Sequence, residues 1–345
     1  MLGIIFGQKM DWARDMLLFS ILVASLFLIV QMTSVLIGVS LTRTVTGAVH
    51  DLYQGTQRVK EGDFSHRISV RGSDQLADLS QSFNVMTENL ERLIVVEKEK
   101  ERLASELEIA RDVQRRLFPK ASLSLHSLSL TGICHPASVV SGDYYDFLRR
   151  EGSGLAMAIG DVAGKGISAA LLMATIKAAM RSQLNVPGPI STAQVVSALN
   201  RQIYSNSAPE KYATFYFALF DEEAGRLTYT NAGHLPPLLI RAGTAQRLEV
   251  TGTVVGAFPN AQFEERQIAL APGDLLLAYT DGLTEPENSY GEMFGEQRVI
   301  DLLMKYERAE PAEIFERTLE AVLHWTGPSG LQDDMTMLIA RRTEA

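Results

Sequence analysis

The sequence predicts an α+β protein in which a C-terminal domain of antiparallel sheets and paired helices follows a membrane-spanning helix and a helical region. Three observations predict this order. Residues 16–42 contain no charged residue, apolar residues recur at helical spacing from 45 to 117, and strand-like runs alternate with pairs of helix-like runs after residue 123. The 345 residues are enough for two or three domains of roughly 100–200 residues each.

The charge balance and the cysteine count exclude several classes of protein. Asp and Glu outnumber Lys and Arg by 41 to 32, which gives a net charge of −9. A general nucleic-acid binder usually carries a basic face, so we expect no nucleic-acid partner. Cys134 is the only cysteine, which excludes an internal disulfide and any cysteine-rich zinc site.

The first element is the uncharged run from Met16 to Thr42. As a helix it would be about 40 Å long at about 1.5 Å per residue, and a bilayer core needs about 20 apolar residues. The alternatives are a signal peptide, whose apolar region is shorter at about 7–15 residues, and a buried soluble helix. More basic residues follow the run than precede it. We therefore expect a single-pass protein of the cytoplasmic (inner) membrane, with residues 1–15 outside the cytoplasm and the C-terminal domain inside it.

The segment after the membrane helix predicts two amphipathic helices joined by a short connector. The first helix ends at Gly62-Asp63, and the second begins at Ser73-Asp74, where both residues are good helix caps. Their apolar seams step by three and four residues: Val45, Val49, Leu52, Thr56 and Val59, then Leu76, Leu79, Phe83, Met86, Leu90 and Leu93. An ordinary helical hairpin against a globular core is one interpretation. Two helices this short cannot bury both seams alone, so a dimeric four-helix bundle is the other.

This region, residues 43–93, resembles a HAMP domain. The resemblance is carried by "EGDF" at the end of the first helix and by "DQLADLSQSFNVM" at the start of the second. The sequence departs from the family at Ala48, where a Pro is usual, and at Gln75, where a Glu is usual. The resemblance implies a parallel homodimer that relays a signal from the membrane to an effector domain.

A charged helix is predicted next, over residues 94–118, and Pro119 ends it. Its apolar seam keeps a four-three rhythm through Leu103, Leu107, Ala110, Gln114 and Leu117. Joining this seam to the previous one requires two consecutive steps of three, a stammer that locally overwinds a coiled coil. The helix is either a solvated spacer or a signalling coiled coil whose phase controls the next domain, and we expect a coiled coil in both cases.

The C-terminal domain, residues 119–345, alternates strands with paired helices. The predicted strands are Leu128–Ile133, Leu155–Ile159, Tyr212–Phe220, Leu227–Asn231, Pro237–Arg241, Arg266–Leu270, Leu275–Tyr279 and Met335–Ala340. The predicted helices are Ala169–Gln183, Thr192–Tyr204, Gln297–Lys305 and Ala312–Trp325. This order favours antiparallel sheets with helices beside them over a doubly wound parallel sheet.

Carboxylates stand at four predicted strand ends that are far apart in sequence. They are Asp143 in "SGDYYD", Asp161 in "DVAGKG", Asp281 in "DGLTE", and the pair Asp333 and Asp334 before the last strand. A convergent cluster of carboxylates must either take up protons or hold cations. Oxygen ligands without His or Cys suit Mg²⁺ or Mn²⁺. Two such ions about 3.5–4 Å apart would activate a bridging water and hold a phosphate for in-line displacement, so no nucleophilic side chain is needed.

The motifs around these residues resemble those of the SpoIIE/RsbU-type serine phosphatases, bacterial relatives of the metal-dependent type 2C (PPM) protein phosphatases. The motifs occur in the family's order: "SGDYYD", "GDVAGKGISAALLMA", "ATFYFALFD", "NAGHLPPLL", "YTDGLTE" and "QDDMT". With the preceding "ELEIARDVQRRLFP", the resemblance covers Glu106 to Arg341. It implies a PPM-type β-sandwich of two antiparallel sheets flanked by helices, with a binuclear Mn²⁺ or Mg²⁺ site.

The resemblance also implies roles for individual residues. Asp161 would bridge the two ions, and the Val162 carbonyl would bind one of them. Asp281 and Asp333 would bind the metal on the other side. Asp143 would contribute directly or through a water molecule.

The resemblance leaves alternative roles for three further residues. Asp334 stands where the wider family often has Asn and is interpreted as an orienting neighbour, although direct ligation by Asp334 rather than Asp333 stays open. His234 in "NAGHLPP" would orient the site, donate a proton or brace the turn. Lys165 would contact phosphate or lie solvated on its loop. Eukaryotic type 2C enzymes have a His where this chain has Ala163, so that general acid is absent.

The function that these patterns favour is a membrane-anchored, metal-dependent serine/threonine phosphatase regulated through a HAMP and coiled-coil homodimer. By resemblance, its substrate would be a phosphoserine on a small anti-sigma-factor antagonist. A histidine kinase would need a His on the dimer helix, and no His lies between His66 and His126. A nucleotide cyclase would need a pattern that "SGDYYD" only partly matches. A non-enzymatic scaffold has no need for a set of desolvated carboxylates.

Overall fold

The computed structural model describes residues 3–119, 122–150, 154–186, 188–208 and 210–343. Side chains are described from Trp12 onward. The first two residues of the predicted N-terminal segment 1–15 therefore lie outside the described residues. The chain divides into two compact units, and the boundary in the sequence lies between Leu103 and Ala104.

The first unit is built on two long helices. Helix α1 is Gly3–Lys60, and helix α2 is Gln75–Arg115, whose C-terminal part belongs to the second unit. Among the described residues, one helix, Trp12–Lys60, is long and apolar enough to cross a membrane, with a mean hydropathy of 2.3 in its most apolar window. Its large apolar side chains are exposed, as Phe27 and Leu36 illustrate. An apolar surface of this extent requires lipid or a partner.

The connector between α1 and α2 is fixed to both helices. Ile68 is buried, and its main chain forms two hydrogen bonds with the Asn84 side chain, from Ile68 N to Oδ1 at 2.7 Å and from Nδ2 to Ile68 O at 2.8 Å. Gly55 lies against Ile68 and Phe83, where an added Cβ would come within 3.0 Å of both side chains. The predicted stop of the first helix at Gly62-Asp63 and the predicted start of the second after Asp74 are confirmed.

The second unit contains two antiparallel sheets. Its strands are β1 Leu123–Ser124, β2 Leu128–His135, β3 Asp143–Arg149, β4 Gly154–Val162, β5 Ala213–Asp221, β6 Arg226–Ala232, β7 Leu238–Arg241, β8 Thr244–Arg247, β9 Arg266–Ala269, β10 Leu275–Tyr279 and β11 Met335–Arg342. One sheet has the order β1-β2-β11-β10-β7-β8, and the other has the order β3-β4-β5-β6-β9. All eight predicted strands are present, while β1, β3 and β8 were not predicted.

Four helices complete the unit as outer layers. They are α3 Ile167–Leu184, α4 Thr192–Asn206, α5 Glu296–Lys305 and α6 Pro311–Thr326. One apolar core packs α3 and α4 against the five-stranded sheet, a second lies between the sheets, and a third packs α5 and α6 against the six-stranded sheet. The predicted α+β sandwich of two antiparallel sheets flanked by helices is confirmed.

Candidate active site

Two of the predicted carboxylates lie side by side in the five-stranded sheet. Asp143 is the first residue of β3, and it pairs in register with Asp161 near the end of β4. Residues opposite each other in an antiparallel pair place their Cβ atoms about 4.5–5.5 Å apart on the same face. Asp143 is only 2% exposed, whereas Asp161 is half-buried.

The other predicted carboxylates come from the six-stranded sheet. Asp281 opens a short 3₁₀ turn directly after β10, and Asp333 and Asp334 directly precede β11, the neighbour of β10. The turn passes so close to the other strand that a Cβ on Gly282 would lie 2.0 Å from the Asp334 carbonyl oxygen. Only glycine fits there, which explains the Asp-Gly pair in "YTDGLTE".

A buried threonine joins the two sheets at this point. The Thr280 hydroxyl donates to Asp143 Oδ2 at 2.7 Å and accepts from the Thr336 main-chain N–H at 3.0 Å. Asp143 belongs to one sheet, while Thr336 lies in β11 and Thr280 follows β10, the two central strands of the other sheet. Sequence reasoning missed Thr280, although its position just before Asp281 in a run that ends a buried strand was a usable signal.

The carboxyl groups raise one another's pKa. Burial, followed by the charge of Asp161, raises the pKa of Asp143 well above its usual value. Burial, followed by the charges of Asp281 and Asp333, raises the pKa of Asp161 to about 7. Burial and the charge of Asp333 also raise the pKa of Asp281. A cluster with these shifts is stabilised by protons or by bound cations.

Main-chain oxygens add to the cluster around Gly142. A Cβ placed on Gly142 would lie 3.2 Å from the Val162 carbonyl oxygen and 3.3 Å from both Asp161 Oδ1 and the Gly164 carbonyl oxygen. The absence of a side chain therefore keeps a small space open beside three oxygen atoms. In the described part of the chain, no three Asp, Glu, His or Cys side chains are already arranged to hold one ion. Carbonyl oxygens and water would complete the coordination, and an all-oxygen donor set fits Mg²⁺ or Mn²⁺.

Asp333 and Asp334 differ in what their oxygens contact. Both oxygens of Asp334 accept main-chain hydrogen bonds, from Ala137 at 2.8 Å and Gly142 at 3.0 Å, and the side chain is buried. Asp333 is 45% exposed, and its Oδ2 pairs with the Lys165 ammonium group at 2.9 Å. This difference supports Asp334 as the residue that holds the Gly142 loop, and Asp333 is the more exposed of the two carboxylates.

His234 lies against the same cluster. Its Nδ1 is 2.9 Å from the Thr214 hydroxyl, which in turn accepts from the Asp161 main-chain N–H at 3.3 Å. Burial lowers the pKa of His234 to about 4, so the ring is neutral at pH 7. A cavity of about 180 Å³ beside it is lined by Asp161, Asp281 and Glu285, among other residues. Of the interpretations of His234, this geometry favours the orientation of β4 and β5 over proton donation.

The end of helix α2 contacts the loop that precedes Asp143. The Gln114 side chain is 5% exposed and forms two hydrogen bonds with the main chain of Ser141, at 2.6 Å to its carbonyl and 2.9 Å from its N–H. The Ser141 hydroxyl accepts from the Asp143 N–H at 3.0 Å. Sequence reasoning placed Gln114 in a coiled-coil seam and gave no signal for this contact, because the partners are 27 residues apart.

A buried ion network fixes helix α3 to strand β3. Asp146 is fully buried and accepts two hydrogen bonds from Arg181, both at 2.8 Å. Lys177 is 3.4 Å from the same carboxylate, and its ammonium group also donates to the Leu117 carbonyl just beyond α2. Asp146 thus joins strand β3 to helix α3, and Lys177 extends the network to the chain beyond α2.

Two family models match the chain. The model of stage II sporulation protein E (SpoIIE) matches residues 151–343, more than half of the chain, and the HAMP domain model matches residues 40–92. These matches confirm both resemblances in the sequence.

Curated relatives and solved structures agree with these matches. Protein IcfG of Synechocystis is 30% identical over 86% of this chain, which spans about half (51%) of IcfG. Phosphoserine phosphatase RsbU of Bacillus subtilis is 32% identical over 70% of this chain and 71% of RsbU. The SiaA-PP2C domain of Pseudomonas aeruginosa superimposes with a TM-score of 0.64, at 22% identity, over 71% of this chain and 99% of that domain. The last comparison establishes the PP2C fold.

Proposed function

Because the chain belongs to the SpoIIE family of PP2C-type phosphatases, we propose that it is a membrane-anchored, metal-dependent protein serine/threonine phosphatase. The observation that carries the proposal is the meeting of carboxylates from both sheets at one point, where burial and mutual repulsion raise the pKa of Asp161 to about 7. Such a cluster favours the binding of cations, because a bound cation reduces the repulsion between the carboxylates. PP2C-family phosphatases are metal-dependent.

When bound, two divalent ions, Mn²⁺ or Mg²⁺, would supply an activated water and hold the phosphate for in-line displacement. Asp161 would hold both ions, the Val162 carbonyl one of them, and Asp281 and Asp333 the other. Asp143, which the Thr280 hydroxyl orients, would contribute directly or through water.

Other side chains shape the site without reacting. Asp334 holds the main chain of Gly142 and Ala137. His234 stays neutral and keeps Thr214 and Asp161 in register. Attack by water directly on the phosphoserine requires no covalent intermediate.

The substrate in this proposal is a phosphoserine on a partner protein, and by resemblance that partner is a small anti-sigma-factor antagonist. RsbU, whose name is phosphoserine phosphatase, supports the chemical class. The HAMP match and the helix Trp12–Lys60 support a single-pass protein of the cytoplasmic (inner) membrane with the phosphatase domain in the cytoplasm. Regulation passes through a homodimer of the HAMP domain and the coiled coil 94–118.

Phosphate release by residues 92–345 from a phosphoserine protein tests the activity. We expect turnover with Mn²⁺, none with EDTA, and none in Asp161→Ala and Asp281→Ala. Asp301→Ala, an exposed carboxylate on α5, is the matched control and should keep full activity. Turnover that persists in EDTA, or in both site variants, would refute a metal-dependent mechanism.

A further inference from the structure

The ammonium group of Lys165 forms an ion pair with Asp333, a carboxylate of the proposed metal site. Its ammonium nitrogen is 2.9 Å from Asp333 Oδ2, while the other oxygen of Asp333 accepts the Asp334 N–H at 2.9 Å. Both oxygens of Asp333 are therefore engaged. A divalent ion that binds Asp333 has to share or replace the contact with Lys165, because two cations cannot occupy adjacent positions without repulsion.

The loop that carries Lys165 permits this replacement. Lys165 stands between Gly164 and Gly166, whose φ angles of +102° and +82° lie in the region that favours glycine. The Lys165 side chain is 65% exposed, so little packing is lost when it moves away. Its flexible four-carbon stem and single charged group allow it to leave Asp333 without disturbing the rest of the loop.

Resting on the proposed function, we propose that Lys165 is a built-in counter-ion that competes with the divalent ion at Asp333. It neutralises Asp333 while that position lacks metal and is displaced when metal binds. The affinity of this position for metal is consequently lower than the carboxylates alone would give. Metal binding and release of the Lys165 side chain from Asp333 are then one event.

Calorimetric titration of the full-length protein in detergent with Mn²⁺, after removal of metal by EDTA, tests the competition without measuring activity. Lys165→Met removes the charge and keeps the stem, whereas Lys165→Arg keeps the charge. An exposed ion pair of this type changes a binding constant by no more than about five-fold. We expect the Kd of the Mn²⁺ position that includes Asp333 to fall about three- to five-fold in Lys165→Met. In Lys165→Arg it should stay within about two-fold of the wild-type Kd.

The matched control is Lys211→Met. Lys211 lies beside the same loop, 3.1 Å from the position of a Cβ on Gly164, but it donates to the Ser168 hydroxyl rather than to a candidate ligand. We expect a smaller change in Kd there, because only the long-range field of the charge is lost. High salt should reduce the effect of Lys165→Met, since exposed charges are screened.

The outcomes separate the two proposals. Unchanged or weaker Mn²⁺ binding in Lys165→Met, or an equal effect of Lys211→Met, would overturn the competition and leave the metal site intact. Wild-type protein and Lys165→Met that both bind no Mn²⁺ would overturn the metal site itself, and the competition with it.

Discussion

The Thr280 hydroxyl links the two sheets at the candidate site by hydrogen bonds to both. The substitution Thr280→Val removes this hydroxyl with little change in side-chain volume. The valine methyl can neither donate to Asp143 nor accept from the Thr336 N–H, and all three residues are buried. Each of the two buried hydrogen bonds contributes about 0.5–1.5 kcal/mol, and a buried group left unsatisfied adds about 1–3 kcal/mol to the loss. We expect Thr280→Val to reduce the free energy of unfolding by about 2–4 kcal/mol.

Urea unfolding of residues 92–345 in EDTA measures this loss. For an unfolding slope of about 3 kcal/mol/M, a loss of about 3 kcal/mol moves the midpoint by about 1 M at unchanged slope. Thr280→Ser is the matched control, because it keeps the hydroxyl and loses one methyl group, at a cost of about 0.5–1.5 kcal/mol. If Thr280→Val and Thr280→Ser unfold at the same urea concentration, the hydroxyl does not join the sheets and the reasoning fails.

Three other predictions follow from the same geometry. The pKa of Asp161 is raised from 3.8 to about 7, so the metal-free fold binds this proton more tightly than the unfolded chain does and loses stability as pH rises from about 4 to 7. The Tm of the metal-free protein should therefore fall less steeply with pH across this range in Asp161→Asn than in the wild type. Equal slopes of Tm against pH in the two proteins would contradict the raised pKa of Asp161. Gly142→Ala places a methyl group beside three oxygens and should weaken Mn²⁺ binding in a calorimetric titration. Its control for the loss of a glycine is Gly154→Ala, where the added Cβ makes only ordinary contacts at 3.7 and 3.8 Å. Asp146→Asn breaks the buried pair with Arg181, which keeps some access to water, and should cost about 2–4 kcal/mol in urea unfolding; a loss below about 0.5 kcal/mol would show that the pair is not structural.

Apolar alternation and length were sufficient to predict most strands and all four outer helices of the second unit. Leu275–Tyr279 has the predicted bounds because it is a short, fully buried run between turn residues. Strand β3 escaped prediction because Asp143 and Asp146 place charges within a buried segment. Those charges are accommodated by Thr280 and Arg181, which are distant in sequence. Strand β8 is a four-residue exposed edge without an apolar pattern.

The candidate ligands Asp161, Asp281, Asp333 and Asp334 could be selected from the sequence because each follows or precedes a predicted strand, whereas Asp143 was selected from the motif "SGDYYD". Their supporting partners could not be selected in this way. Thr280 reaches Asp143 across 137 residues, and Gln114 reaches Ser141 from a helix whose spacing resembles that of a coiled coil. Neither side chain has a local pattern that distinguishes it from an ordinary strand or helix residue. Only the packing of one layer on another brings such groups together.

The division of the carboxylates between two sheets has a consequence for the amount of folded protein in the cell. In the proposed site, an ion held by Asp161 from one sheet and Asp281 from the other would act as a reversible cross-link between the two sheets. A ligand that binds only the native state adds about 2.7 kcal/mol to stability when its free concentration is 100 times its Kd. Metal starvation would then lower the amount of enzyme as well as its turnover, because the same atoms that hold the reaction centre also hold the fold closed.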